Sequence, residues 1–241
     1  MKPILVIEQE YTLRGLGLLG ERLDASGLPY QRLGAWDGRV DEQAPGDFAA
    51  VIAMGGTGHA WEEERDPKLR AERLLLRDAV AEGVPVLGIC LGGQILARAL
   101  GGEAGPAVEP EMGWVDITPT DAARDDPVFR VLDGVAGVYQ WHYDVFEPPP
   151  GATVLARSDL SPNQGFRLDG ADAWGIQFHP EVTPDLWELW IARNQEDVAE
   201  AGVDIDALRE AVSRGAGRSV GFRSAFFDAF IERVRLRWGT R

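Results

Sequence analysis

This chain of 241 residues has one cysteine, three histidines and a deficit of base, 24 Lys+Arg against 39 Asp+Glu. A single thiol, Cys90, leaves no intramolecular disulfide and no cysteine-cluster metal site. His59, His142 and His179 stand far apart without paired spacing, so neither a metal centre nor a cofactor is expected. A formal charge of −15 does not suit a nucleic-acid backbone or an anionic membrane surface, which call for basic patches. No run approaches the ~20 apolar residues of a membrane span. The start, Lys2-Pro3-Ile4-Leu5-Val6-Ile7-Glu8, lacks the long apolar core and cleavage site of a signal peptide. The expected location is the cytoplasm, where a lone thiol stays reduced.

What is present reads as an α/β domain. The 45% hydrophobic content suffices for a core, and the pattern alternates short β-like runs with longer helical ones. Ile4–Ile7 and Phe48–Met54 read as buried strands, the second ending at Gly55-Gly56. Pro67–Glu82 places leucines along one helical face, and Gly83 stops it. Val84–Cys90 is a strand and Leu91–Leu100 a helix. Between Gly113 and Phe178 lie further short strands, some of them antiparallel: Trp114–Thr118, Val138–Trp141, Thr153–Ala156, Gly165–Leu168 and Trp174–Phe178. Helix returns over Leu186–Arg193.

Beyond Asn194 come an acidic helix at Asp204–Arg214, a break at Gly215-Ala216-Gly217 and a last helix from Ser224. That helix carries Phe226, Phe227, Phe230, Ile231, Val234 and Trp238 near helical spacing. Such a stripe either docks on the parent domain or binds a partner, and docking is the simpler reading. Arg233, Arg235, Arg237 and Arg241 complement the negative end of the helix. Two regions are expected, an α/β domain over 1–194 and a helical extension over 195–241 packed on it.

Three features carry chemistry. Gly88-Ile89-Cys90-Leu91-Gly92, between a strand and a helix, has the form of a nucleophile elbow with cysteine in place of serine. The sharp turn needs neighbours without side chains, and it sets the sulfur at a helix N-terminus, where the dipole favours thiolate. Free cysteines are commonly inert core residues; the elbow is what argues otherwise here. Second, alternation along Trp174-Gly175-Ile176-Gln177-Phe178-His179-Pro180-Glu181 puts Gln177, His179 and Glu181 on one face. A carboxylate that accepts one imidazole N–H leaves the other nitrogen free to trade protons with the thiol. Third, the Leu91 N–H comes with the elbow as an oxyanion donor, and Met54-Gly55-Gly56-Thr57-Gly58 is the natural source of a second, its glycines letting backbone approach a substrate. Without a following Gly-Lys-Ser/Thr this stretch is no phosphate loop. His59 reads as a loop residue. His142, in Gln140-Trp141-His142-Tyr143-Asp144, either lines the pocket or is a structural histidine.

Together these residues resemble the class I (triad-type) glutamine amidotransferases. The likeness rests on Gly55-Gly56, the GVPVLGICLGGQILARALGG segment around Cys90, and Phe178-His179-Pro180-Glu181. Glu111-Met112-Gly113-Trp114, Gln140-Trp141-His142 and Asn163-Gln164-Gly165-Phe166 are similar to segments of stand-alone members akin to the glutaminase domain of GMP synthase. It spans Val6 to Ile191. The resemblance implies an open, mostly parallel sheet with flanking helices, flavodoxin-like, and hydrolysis of the glutamine side-chain amide to glutamate and ammonia. It implies that Cys90 attacks the amide carbon and that the N–H groups of Gly56 and Leu91 hold the oxyanion. His179 then protonates ammonia and activates water against the thioester, while Glu181 orients it. Gln94 contacts the amino-acid end of glutamine; Gly55 and His142 are the further candidates for substrate binding beside it. The family usually has proline where this chain has Thr57.

No synthetase loop is evident, so the acceptor chemistry belongs to a separate protein or is absent. Two alternatives stay open: a cysteine hydrolase of other γ-glutamyl amides or peptides, and a non-catalytic binding or regulatory module.

Overall fold

The computed structural model describes residues 2–11, 15–200, 202–215 and 219–239. Its frame is one nine-stranded sheet in the order β2-β1-β3-β4-β9-β8-β7-β5-β6. The strands β1 (Ile4–Glu8), β2 (Tyr30–Gly34), β3 (Ala50–Ala53), β4 (Val86–Ile89) and β9 (Ala173–Ile176) pair in parallel. Strands β5 (Glu103–Pro119), β6 (Ala136–Glu147), β7 (Ala152–Arg157) and β8 (Gly165–Leu168) continue the sheet through antiparallel pairings. The antiparallel share thus extends to half of the sheet.

Strands β1, β3, β4 and β9 are buried along their full length, as parallel strands covered on both faces must be. Alternation divides them between two cores. Ile4, Val6 and Ile52 face one cluster with α1 (Gly17–Ser26) and α7 (Val220–Gly239). Leu5, Ile7 and Val51 face the other with α2 (Pro67–Ala81) and α3 (Leu91–Ala99). A third cluster joins Tyr139 of β6 to α4 (Pro184–Arg193), α5 (Gln195–Glu200) and α6 (Ile205–Gly215).

The aromatic stripe of α7 docks on the sheet: Phe226, Phe227, Phe230, Ile231 and Val234 are buried with the strands that frame the site. Each such side chain contributes about 1.5–3 kcal/mol of burial. The arginines of this helix do more than complement its end. Arg233 donates to both carboxylate oxygens of Asp172 at 2.8 and 2.9 Å, and Arg235 to the carbonyl of Ser26 at 2.6 Å. Arg241, and Ala216-Gly217 of the expected break, lie outside the described residues.

Elements absent from the sequence reading have weak local signals. Helix α1 contains two glycines, and β2 carries exposed Gln31 and Arg32. The first half of β5 includes Pro106 and Pro110, which read as turns. They are tolerated because β5 pairs with β7 only at Thr118 and Pro119, leaving a free edge over the rest of its length, and the register with β6 shifts between Pro106 and Glu111. Among the described residues, no helix is long and apolar enough to cross a membrane.

Candidate active site

Topology assembles the site. In the register of the sheet, Ala53 of β3 pairs with Gly88 of β4, and Ile89 of β4 with Ile176 of β9. The three strands run in parallel, so Gly55-Gly56, Cys90 and His179 all emerge at one carboxyl edge, the usual place for a site in an open α/β sheet.

Cys90 lies between β4 and α3 with φ +51° and ψ −110°. A side chain in this region is strained by about 1–3 kcal/mol. The elbow is held by its packing: the Cys90 N–H donates to the carbonyl of Ile176 at 2.8 Å, and the Cys90 carbonyl accepts from the N–H of Gln94 at 2.9 Å. At Gly92 a Cβ would come within 2.2 Å of the Ala53 carbonyl oxygen, so helix and strand approach here as only glycine allows.

His179 follows β9, and its backbone N–H donates to the carbonyl of Tyr139 at 2.9 Å. Its Nδ1 lies 2.7 Å from Glu181 Oε1, and the Cys90 sulfur is near enough to act on the charge of the ring. Burial pushes the imidazolium down, but the Glu181 carboxylate and the Cys90 sulfur more than offset it, and the pKa stands at about 10. Gly55 fits between the side chains of Cys90 and His179: a Cβ there would meet His179 Cε1 at 2.7 Å and Cys90 Cβ at 3.4 Å. Gly56 is flanked by Gln9 and Leu91.

Two hollows meet at Cys90 and share Gly56, Thr57, Trp141 and Asn194. The smaller, with an interior of about 60 Å³, contains His179, Glu181, Trp190 and the chain end of β1. The larger, about 530 Å³, is lined by Leu91, Gln94, His59, His142 and Asp144. Gln94 is buried there; its Nε2 donates to the carbonyl of Asp144 at 3.0 Å, and its Oε1 has no hydrogen-bond partner among the described residues. His142 also lines this hollow, but both ring nitrogens are engaged, Nδ1 with the Asp144 carbonyl at 3.0 Å and Nε2 with Glu111 at 3.1 Å. No ring nitrogen of His142 is left for a ligand. Burial raises the Glu111 carboxyl; bonds from His142, Ser158 and Gln164 reverse this and hold it below its ordinary value.

Several neighbours of the site escaped the sequence reading. Gln177 Nε2 donates to the Cys90 sulfur at 3.6 Å, a contact that its place on the His179 face of the strand could have suggested. The Trp190 ring meets His179 edge-on at 4.9 Å. His59 sits 2.6 Å from Asp144. Arg223 of α7, buried, donates to the Val182 carbonyl at 2.6 Å and packs over Tyr139. These meet across distant segments, where spacing carries no signal. Among the described residues no group of His, Cys, Asp or Glu is arranged to hold a metal ion.

A family model described as "Glutamine amidotransferase class-I" matches residues 35–196. A GMP synthase (glutamine-hydrolyzing) of Thermus thermophilus is 35% identical over 179 residues, 73% of this chain and 32% of that protein. One subunit of the GMP synthase (glutamine-hydrolyzing) of Thermococcus kodakarensis is 40% identical over 100 residues, 41% of this chain and 52% of its own length. The chain therefore spans about a third of the first relative and about half of the second. Among solved structures, a glutamine amidotransferase from Thermotoga maritima superposes with a TM-score of 0.84 at 27% identity, over 97% of both chains. That overlap takes in the helices beyond residue 196. With a family match over more than half of its length and a fold shared from end to end, the chain belongs to the class-I glutamine amidotransferase family.

Proposed function

We propose that this protein hydrolyses the side-chain amide of glutamine to glutamate and ammonia through a thioester on Cys90. The observation that carries the reading is the meeting of an elbow cysteine at positive φ with a buried His179–Glu181 pair. An imidazole held by a carboxylate beside a sulfur is the proton carrier that a cysteine nucleophile needs. The sulfur attacks the amide carbon, and the oxyanion rests on the N–H groups of Gly56 and Leu91. His179 gives its proton to the departing ammonia, then takes one from the water that opens the thioester. Glu181 holds the ring and its charge. The unpartnered Gln94 Oε1 is an acceptor suited to the ammonium of the substrate's amino-acid end, and His142 acts by bracing the hollow.

All of this chemistry lies within 1–194, with 195–241 as its packed extension. The Thermococcus relative, itself one subunit of a GMP synthase, supports delivery of ammonia to a synthetase on a separate chain.

One observation favours a second reading, hydrolysis of N-substituted γ-glutamyl amides. The hollow on the His179 side offers about 60 Å³, while a single water needs only about 10–15 Å³. One experiment addresses both: ammonia and amine release from glutamine and a γ-glutamyl panel, by wild type and Cys90→Ala. Turnover should fall by about 10⁴-fold or more in the variant while its fold is kept. Undiminished hydrolysis by Cys90→Ala would rule out the thioester route.

A further inference from the structure

The loop Gly55-Gly56-Thr57 has little of its own to hold it in shape. The Met54 N–H still donates to the Ile7 carbonyl at 2.9 Å, continuing the sheet. Beyond it, no backbone–backbone hydrogen bond holds residues 55–58 among the described residues. Two successive glycines lose more conformational freedom on ordering than any other pair. Yet an oxyanion donor acts only when it is fixed before the charge develops.

The chain leaving β1 supplies what the loop lacks. Gln9 is buried beneath Gly56: a Cβ on Gly56 would lie 2.5 Å from Gln9 Cβ, and the Gln9 amide is fixed by donating to both oxygens of Glu72 at 2.8 and 2.7 Å. Glu10 lies at the rim of the same hollow as Cys90 and His179. One oxygen of its carboxylate accepts from the Thr57 N–H at 2.8 Å and also from the Thr57 hydroxyl. A single acid thus fixes both the backbone and the side chain of the residue that follows the donor.

We propose that Glu10 is a positioning residue, a latch that closes on Thr57 and holds the Gly56 N–H where the oxyanion forms. This rests on the hydrolytic reading above. The carboxylate touches no reacting atom; it acts through Thr57. Charged hydrogen bonds of this kind, and the known cost of losing an oxyanion donor, set the expected effect at about 10- to 100-fold in kcat.

The test compares Glu10→Ala, Glu10→Gln, Thr57→Val and Thr57→Ser in two assays. One is amide hydrolysis, resolved into kcat and KM. The other is alkylation of Cys90 by iodoacetamide, a displacement that forms no oxyanion. Glu10→Ala should lose kcat by about 10- to 100-fold with KM and alkylation rate kept; Thr57→Val, which keeps the backbone N–H, should lose less in kcat, and the double variant no more than Glu10→Ala. Glu10→Gln and Thr57→Ser, which each keep a hydrogen-bonding group, should recover most of the rate. A Glu10→Ala enzyme as fast as an active wild type would overturn the latch alone. So would parallel loss of hydrolysis and alkylation, which would place the effect on the thiol. A wild type that is alkylated but splits no amide would sink the hydrolytic reading and the latch with it.

Discussion

The two hollows that meet at Cys90 are built in opposite ways. On the His179 side the walls are strand ends and core: His179 is 3% exposed, Glu181 1% and Gln9 2%. On the Gln94 side α3 contributes buried Leu91 and Gln94 and the rest is loop and hairpin, with the His59 side chain 47% exposed and Tyr143 37% exposed. The first is small and fixed by sheet register, which suits proton transfer, where errors of an ångström are costly. The second is wide, and only its rim, at His59 and Tyr143, lies where change disturbs little packing. The wide hollow thus joins a buried floor at Gln94 to an exposed rim.

The largest effects should fall on the His179 side. His179→Asn should lower kcat by about 10²- to 10⁴-fold, the usual contribution of a general acid–base group. Glu181→Gln should cost less and move the pH profile. Without that carboxylate, burial prevails over the charges that now raise His179 to about 10, so the alkaline limb shifts to lower pH. An unmoved limb would separate the limb from this pair.

The comparison sharpens on the other side. Gln94→Leu removes the acceptor but leaves Cys90, His179 and Glu181, so KM should rise by about 10-fold or more while kcat holds, in steady-state kinetics on glutamine. A fall in kcat alone would mean that the wide hollow takes part in the chemistry.

The smallest effect on turnover, but a measurable one on stability, belongs to Glu72. Burial raises its carboxyl from 4.5 to about 7. A raised acid contributes stability that is full below pH 4.5 and lost as pH rises through about 7. Glu72→Gln should therefore match the wild type in denaturant melts at pH 4 and exceed it at pH 8 by up to about 3 kcal/mol.

Legibility in the sequence followed the same division. The elbow at Cys90 and the pairing of His179 with Glu181 are local, set by a turn and by strand alternation, so a few adjacent residues disclose them. That β3, β4 and β9 are neighbours is a property of the sheet, and only their adjacency brings Gly55-Gly56 to the sulfur. Trp190, Arg223 and Glu10 reach the site from segments that spacing does not connect. His142 shows the converse limit: its position beside the hollow was legible, the occupation of both its nitrogens was not. Helix α1 and the proline-bearing half of β5 were missed because tertiary pairing, not propensity, makes them regular.

Helix α7 lies beyond the segment that the family model matches, yet its phenylalanines share a core with β1, β3, β4 and β9. Deleting everything after residue 196 would therefore not isolate a self-sufficient domain. It would uncover the underside of the strands that carry the thiol and expose a greasy face to water. For anyone trimming or fusing this polypeptide, the last helix is part of the floor.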